Sequence, residues 1–191
     1  MDDTVMRWLV VSCVVLACRV GLAGELVVPI PVQVEMLSKL VAFDRGFRDR
    51  VGSEAHVVVV EVPGNGESHR AAQQIRGRFV QQPNLAGVPL TLDILTYAGA
   101  APLAASCAER KIHLVYLAPG FAEPEVRAIA KALDGVNVLT ASAAASDVPA
   151  GSVVGFDLVE GKPKILVNLP QARKQGVVFA ATLLSLARVV Q

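Results

Sequence analysis

The sequence lacks an excess of charge of either sign. Lys and Arg number 18 and Asp and Glu number 17, so the formal net charge of the 191 residues is +1. A near-neutral chain creates no strong field towards phosphate groups, which excludes nucleic acid as the expected partner. Hydrophobic residues nevertheless make up 53% of the chain and charged residues 18%. This balance excludes intrinsic disorder and indicates one domain with a substantial core.

The sequence also lacks an apolar run long enough to span a membrane. The longest such run, at residues 8–17, follows Arg7 and ends before Arg19, whereas a spanning helix needs about 20 apolar residues. Small residues at positions 21–24 suit signal peptidase. Residues 1–24 are therefore predicted to be a cleaved secretory signal peptide, and residues 25–191 an exported, periplasmic domain. Lipid anchoring at Cys18 is the less favoured alternative.

Cysteine and histidine are too sparse to build a covalent or metal framework. Cleavage of the leader would remove Cys13 and Cys18 and leave Cys107 as the single cysteine, so an intramolecular disulfide is excluded. Cys107 lies in an alanine-rich helical stretch and is expected to be buried, the alternative being an intermolecular bridge. The three histidines lack any ligand spacing: His56, His69 and His113. The sequence therefore predicts neither a metal site nor another cofactor.

What the mature chain does contain is an alternation of strands and helices. Apolar runs at 55–62, 112–118 and 136–140 predict buried strands, and a run at 88–95 that contains Pro89 predicts an edge strand. The spacing of Met36, Leu40, Phe43 and Phe47 predicts a first helix that begins after Pro31. Further helices are predicted from Ser68 as N-cap, in the alanine-rich stretch that carries Leu103 and Cys107, and from Pro124.

The last quarter of the chain departs from this alternation. Runs at 153–159 and 164–167 flank a Gly-Lys-Pro turn and predict an antiparallel hairpin. A final helix is predicted from the spacing of Phe179, Leu183, Leu186 and Val190. The order of elements predicts a single three-layer α/β domain, Rossmann-like or flavodoxin-like, with a mostly parallel sheet and a C-terminal antiparallel hairpin.

Ligands of such sheets bind at the carboxyl ends of the strands, which directs attention to two loops. Asn65, Ser68 and Gly120 are the candidate residues that face a ligand or a partner there. The segment from Gly64 resembles part of a dinucleotide fingerprint, but His69 stands where a close helix approach needs glycine. A turn followed by a helix cap is the favoured interpretation.

No arrangement of residues predicts catalysis. Ser68 and His69 are neighbours on a helix and cannot share the hydrogen bond that a nucleophile and its base require. No Gly-x-Ser-x-Gly motif is present. A cluster of charges is interpreted as solvated surface: Asp44, Arg45, Arg48, Asp49 and Arg50. The sequence therefore favours a binding protein over an enzyme.

Three segments together resemble one family. They are Pro29–Arg45, Leu117–Pro119 and a C-terminal block that contains Gly155-Phe156, the turn and strand at 161–169 (GKPKILVNL) and the segment 183–189 (LLSLARV). In this order they resemble the YfiR-like family of periplasmic regulators. The C-terminal block is the most specific of the three.

The resemblance implies a regulator of signalling. Members of the family bind the periplasmic sensor region of an inner-membrane diguanylate cyclase and hold the enzyme inactive. They are themselves sequestered by an outer-membrane lipoprotein with an OmpA-like domain, which raises cyclic di-GMP and favours biofilm. Members can also form homodimers and carry disulfides. The alternative left open by the residues is an exported small-ligand-binding domain with Asn65, Ser68 and Gly120 as lining residues.

Overall fold

Residues 27–190 are described by this computed structural model of the protein, and the predicted signal peptide with Cys13 and Cys18 lies outside them. The helices are α1 (Ile30–Val41), α2 (Phe47–Val51), α3 (Gly66–Gln81), α4 (Ala100–Glu109), α5 (Glu123–Ala132), α6 (Asp147–Ala150), α7 (Leu169–Lys174) and α8 (Ala181–Leu186). The strands are β1 (Ala55–Glu61), β2 (Asn84–Leu85), β3 (Val88–Thr96), β4 (Leu114–Leu117), β5 (Leu139–Ser142), β6 (Val154–Val159), β7 (Lys162–Asn168) and β8 (Arg188–Val190). No helix in this range is long and apolar enough to cross a membrane.

The eight strands form one sheet in the order β2-β3-β1-β4-β5-β6-β7-β8. Strands β3, β1, β4, β5 and β6 run parallel, and β7 returns antiparallel to β6 in the predicted hairpin. The predicted fold class is therefore confirmed. After β1 the chain forms β2 and β3 on one side of it, and then β4 and the later strands on the other side. This reversal creates a topological switch point beside β1.

Helices cover both faces of the sheet, and the valines of β1 serve both layers. Val57 and Val59 pack in the core beneath α1 and α3, while Val58 and Val60 pack in the core beneath α4 and α5. All four are at most 1% exposed. A strand buried on both faces has no polar side to present, which explains its uninterrupted valine run.

The C-terminal helix is shorter than predicted. Helix α8 ends at Leu186, whose side chain is 68% exposed, and the chain then forms β8 parallel to β7. Phe179 lies before the helix and its backbone pairs with Asp44. Val189 and Val190 are β-branched and pair with the open edge of β7. The hydrogen bonds of this sheet favour the strand, although the spacing of apolar residues is that of a helix.

The first helix is shorter than predicted, because the chain turns at Asp44. Phe43 and Phe47 therefore lie outside α1. Asp44 is buried and accepts hydrogen bonds from the side chain of Arg50 and, at 3.1 Å, from the Gly46 N–H. The interpretation of this charged segment as solvated surface is thus wrong for Asp44 and Arg50.

Two further predictions need correction. β3 is an edge strand over most of its length, but the two residues of β2 pair with Val88 and Pro89 at its start. The strand predicted at 136–140 is instead β5 at Leu139–Ser142, because the chain reaches the sheet only after the turn at Gly135 and Val136. The small residues that follow it form a loop and then the short helix α6.

Candidate functional site

A cleft of about 660 Å³ opens at the carboxyl ends of the central strands, on the α1 and α3 side of the sheet. Its walls are the segment Val27–Ile30, the first turns of α3 and the loops after β4 and β5, with Phe156 from β6. The charged residues of the wall are Glu67, Arg70 and Asp157. This is the position at which doubly wound sheets bind ligands.

Gln33 ties two walls of the cleft together from inside the protein. Its side chain is fully buried, and Nε2 donates to the Val28 carbonyl at 2.7 Å and to the Ala143 carbonyl at 3.3 Å. Its Oε1 accepts a hydrogen bond from the hydroxyl of Tyr116, and burial raises the pKa of that hydroxyl. Sequence reasoning missed Gln33, because a single glutamine in an apolar helix carries no motif.

The predicted site residues lie close together at one turn. Asn65 caps α3, with Oδ1 accepting from the Glu67 and Ser68 N–H groups at 3.0 Å each. Ser68 is not the N-cap, because it lies within the first turn, is buried, and accepts from the Val62 N–H at 2.9 Å. Only Gly120 of the three lines the cleft. Whether these residues contact a ligand or partner stays a prediction.

Gly120 has a conformation and a neighbour that both favour glycine. Its φ is +104°, and a Cβ at this position would lie 2.4 Å from Nδ2 of Asn65. The loop after β4 therefore packs directly against the cap of α3. The favoured interpretation of the Gly64 segment, a turn with a helix cap, agrees with this geometry.

A second feature lies across the carboxyl edge, on the α4 and α5 side. Tyr97 follows β3 and Phe121 follows β4, and their rings meet edge to face with centroids 5.2 Å apart. The Tyr97 N–H donates to the Glu61 carbonyl at 2.8 Å. The Glu61 carboxylate bonds His69 Nδ1 at 2.9 Å. We call Tyr97, Phe121 and the adjacent Glu125 the aromatic corner.

The opposite edge of the sheet holds a pair of histidines, His56 and His113, that no sequence motif predicts. His113 is buried, and its Nδ1 accepts from the His56 N–H at 3.0 Å. The two rings are 5.8 Å apart. Burial, followed by the nearby charge of His56, lowers the pKa of His113. Within residues 27–190 no group of three His, Cys, Asp or Glu side chains could hold a metal ion.

Hydrogen bonds hold the loop after β5 in place at one wall of the cleft. Ser142 donates to Asp147, and its Oγ accepts from the Ala144 N–H at 3.3 Å, which fixes the loop after β5.

Cys107 is 2% exposed, which confirms its predicted burial, and that burial raises its pKa to about 11. A thiol with so high a pKa is a poor nucleophile at neutral pH.

The fold and its C-terminal hairpin agree with one family. The sequence model described as YfiR/HmsC-like matches residues 32–188. The chain belongs to the YfiR/HmsC-like family. The match extends from the first turn of α1 into β8, so it covers nearly all of the described fold. The YfiR/HmsC-like family is one of periplasmic regulators.

Solved structures share the fold of this YfiR/HmsC-like protein at low identity. An ABC domain in complex with L-Trp from Streptococcus pneumonia has a TM-score of 0.60 at 9% identity and covers 82% of this chain and 62% of its own. A conserved domain protein from Vibrio cholerae has a TM-score of 0.60 at 15% identity, with coverages of 87% and 61%. An open, ligand-free substrate binding protein from Clostridium difficile has a TM-score of 0.57 at 9% identity, with coverages of 76% and 57%.

These similarities establish the fold alone. The YfiR/HmsC-like chain spans less than two thirds of the length of each of the three structures. No curated protein matches the sequence.

Proposed function

We propose that this protein is a periplasmic regulatory binding protein that represses an inner-membrane diguanylate cyclase. The signal peptide at residues 1–24 exports it. The folded domain binds the periplasmic sensor region of the cyclase and keeps the enzyme inactive, so cyclic di-GMP stays low and biofilm is disfavoured. An outer-membrane lipoprotein with an OmpA-like domain sequesters the repressor and releases the cyclase.

One observation carries this proposal, namely the family match over residues 32–188. Two features of the domain support a binding role. The cleft and the aromatic corner offer two concave or half-exposed surfaces at one edge of the sheet. The described serines, histidines and Cys107 provide no activated nucleophile with a positioned base.

The deciding experiment is a chromosomal deletion with cyclic di-GMP measured in cell extracts. We expect the deletion to raise cyclic di-GMP severalfold and a plasmid copy to restore the original level. A copy that lacks residues 1–24 is the matched control, since it leaves the same domain in the cytoplasm and should not restore repression. An unchanged level of cyclic di-GMP in the deletion strain would contradict the proposal.

Capture of the partner provides a second, independent test. The tagged mature domain is crosslinked in cells, purified from the periplasm and membranes, and its partners are identified by mass spectrometry. We expect an inner-membrane diguanylate cyclase in the eluate. Recovery of self-contacts only would contradict the proposed repression.

The cleft supports one alternative function, small-ligand binding. Its volume of about 660 Å³ suits a small solute, and Glu67, Arg70 and Asp157 provide charged groups in its wall. This function predicts a saturable rise in the melting temperature with one class of compound. The repressor proposal requires no such ligand, so a screen of solutes by thermal unfolding separates the two.

A further inference from the structure

The outer side of β3 is an open sheet edge that leads into the aromatic corner. Only Val88 and Pro89 of this nine-residue strand pair with β2, and Leu90 donates to the Pro83 carbonyl at 3.0 Å. Peptide groups alternate in direction along a strand, so those of Leu92, Ile94 and Thr96 point outwards. Among residues 27–190 no strand pairs with them. Such an edge is a template for an added strand.

The side chains along this edge are apolar and incompletely covered. Leu92 and Ile94 are partly buried against the core beneath α1 and α3. On the other face, a pocket of about 140 Å³ opens beside Tyr97 between the end of β3 and α4, next to Leu95 and Leu103. An added strand would cover Leu92 and Ile94 and could place a side chain near this pocket.

The residues of the aromatic corner are of the types that bind partner side chains at protein interfaces. Every other described aromatic residue except Phe43 is buried, whereas the rings of Tyr97 and Phe121 are both half-exposed. Tyrosine and phenylalanine are enriched in the cores of protein interfaces, and tyrosine is common among the residues that dominate the binding energy. Burial and the charge of Glu125 together raise the pKa of the Tyr97 hydroxyl, which locates that carboxylate beside the rings.

The charges around the corner favour a cationic occupant. The carboxylate beside the rings is that of Glu125. The basic side chain of Arg127, on the same helix, already pairs with Glu123. The Glu125 carboxylate accepts one backbone hydrogen bond, from Ala122 at 2.9 Å. Aromatic faces flanked by a carboxylate bind guanidinium and ammonium groups.

We propose that an extended, basic segment of a partner protein binds at this edge. Its backbone continues the sheet beyond β3 at Leu92–Thr96, and an arginine or lysine side chain lies against Tyr97 and Phe121 beside Glu125. This proposal rests on the proposed function, because it identifies the surface through which a regulator of this kind engages its protein partner. The cleft, on the other side of the sheet, takes no part in it.

The test uses the mature domain and two defined peptides. Acetyl-Val-Arg-Val-Arg-Val-amide is titrated into the isotope-labelled protein, and acetyl-Val-Glu-Val-Glu-Val-amide is the matched control. We expect the arginine peptide alone to shift the amide resonances of Leu92, Ile94, Tyr97 and Phe121. Equal shifts with both peptides, shifts confined to the cleft, or none at all would overturn the proposal. Shifts that follow protein concentration without peptide would identify a second copy as the occupant instead.

Variants separate the anchor from a structural effect. Glu125→Gln keeps an acceptor for the Ala122 N–H but removes the charge, and Tyr97→Ser removes the ring. Each should weaken the arginine peptide about tenfold, since a charged hydrogen bond or a cation–π contact is lost. Tyr97→Phe should restore binding, and Glu160→Gln in the exposed turn between β6 and β7 should leave it unchanged. Equal affinity in Glu125→Gln and Glu160→Gln would contradict the proposed anchor.

The two proposals fail separately. If the wild-type protein and Glu125→Gln capture the cyclase equally, the proposed repression is supported, and the edge of β3 is not the surface that binds the cyclase. If the arginine peptide binds as expected but deletion leaves cyclic di-GMP unchanged, the proposed binding edge is supported, and its partner is not a diguanylate cyclase.

Discussion

At the scale of single residues, Gln33 shows how one polar side chain shapes the candidate cleft. It bonds two cleft walls and the Tyr116 hydroxyl while being fully buried. A buried polar group lowers the stability of the fold when its hydrogen-bond partner is removed. The Tyr116 hydroxyl and the carbonyls of Val28 and Ala143 therefore depend on the side chain of Gln33.

We therefore expect Gln33→Leu to lower the free energy of unfolding by about 2 kcal/mol, because it leaves the Tyr116 hydroxyl and two carbonyls without their partner. Denaturant unfolding measures this loss. Tyr116→Phe is the control, and the double variant should lose less than the sum of the two single losses. Strictly additive losses would show that the hydrogen bond between the two side chains has no energetic weight.

His113 predicts a dependence of stability on pH. Its pKa is lowered in the folded protein by burial and by the charge of His56, and Arg50 and Lys111 also face it, while Glu54 faces His56 at 3.5 Å. The folded state therefore binds fewer protons than the unfolded state. The stabilisation is complete above the unfolded pKa of about 6.5 and is lost as the pH falls from there towards the folded pKa.

Unfolding free energies measured between about pH 8 and pH 5 should show this loss. His113→Gln removes the titrating group and should flatten the slope in that interval. An unchanged slope in His113→Gln would assign the pH dependence to other groups.

At the scale of elements, the buried ion pair of Asp44 and Arg50 joins α2 to the C-terminal segment. Asp44 also accepts from the Val178 N–H at 3.4 Å, and Arg50 donates to the Gly176 carbonyl at 3.2 Å. The side chains of Asp44 and Arg50 are 0% and 11% exposed. A short helix is thus fixed by contacts from residues far away in the sequence.

Asp44→Ala should destabilise the domain by about 3 kcal/mol, because it leaves Arg50 buried without its carboxylate. The pair of Glu35 and Lys39 on the exposed face of α1 is the matched control. Glu35→Ala should change the free energy of unfolding by less than about 1 kcal/mol. Chemical unfolding measures the free energy of unfolding of both variants. Similar losses from Asp44→Ala and Glu35→Ala would mean that burial does not strengthen the ion pair of Asp44 and Arg50.

The sequence predicts elements where local pattern and tertiary environment agree. The valines of β1 and the spacing of α5 report burial directly, and both elements were predicted from them. The region of β8 has a helical spacing but an open sheet edge beside it, so its conformation depends on β7. The candidate loops were predictable from the strand order, whereas the pairing of Tyr97 with Phe121 depends on packing between distant segments.

At the scale of the whole molecule, the reactivity of the described domain towards thiol reagents depends on one buried cysteine. Cys107 is the free cysteine of the described chain, and its pKa is raised to about 11 by burial. We expect the native mature domain to resist alkylation by iodoacetamide at about pH 8 and to react once unfolded in guanidinium chloride. Mass spectrometry measures the adduct. Rapid alkylation of the native protein would show that α4 opens readily.

The end of β1 connects the two surfaces at the carboxyl edge. The Val62 N–H donates to Ser68 on the cleft side, while the Glu61 carbonyl accepts from Tyr97 on the side of the aromatic corner. Two occupants that each displace this strand end are therefore thermodynamically linked. Whatever factor a cleft ligand imposes on the affinity for a partner, the partner must impose the same factor on the affinity for that ligand.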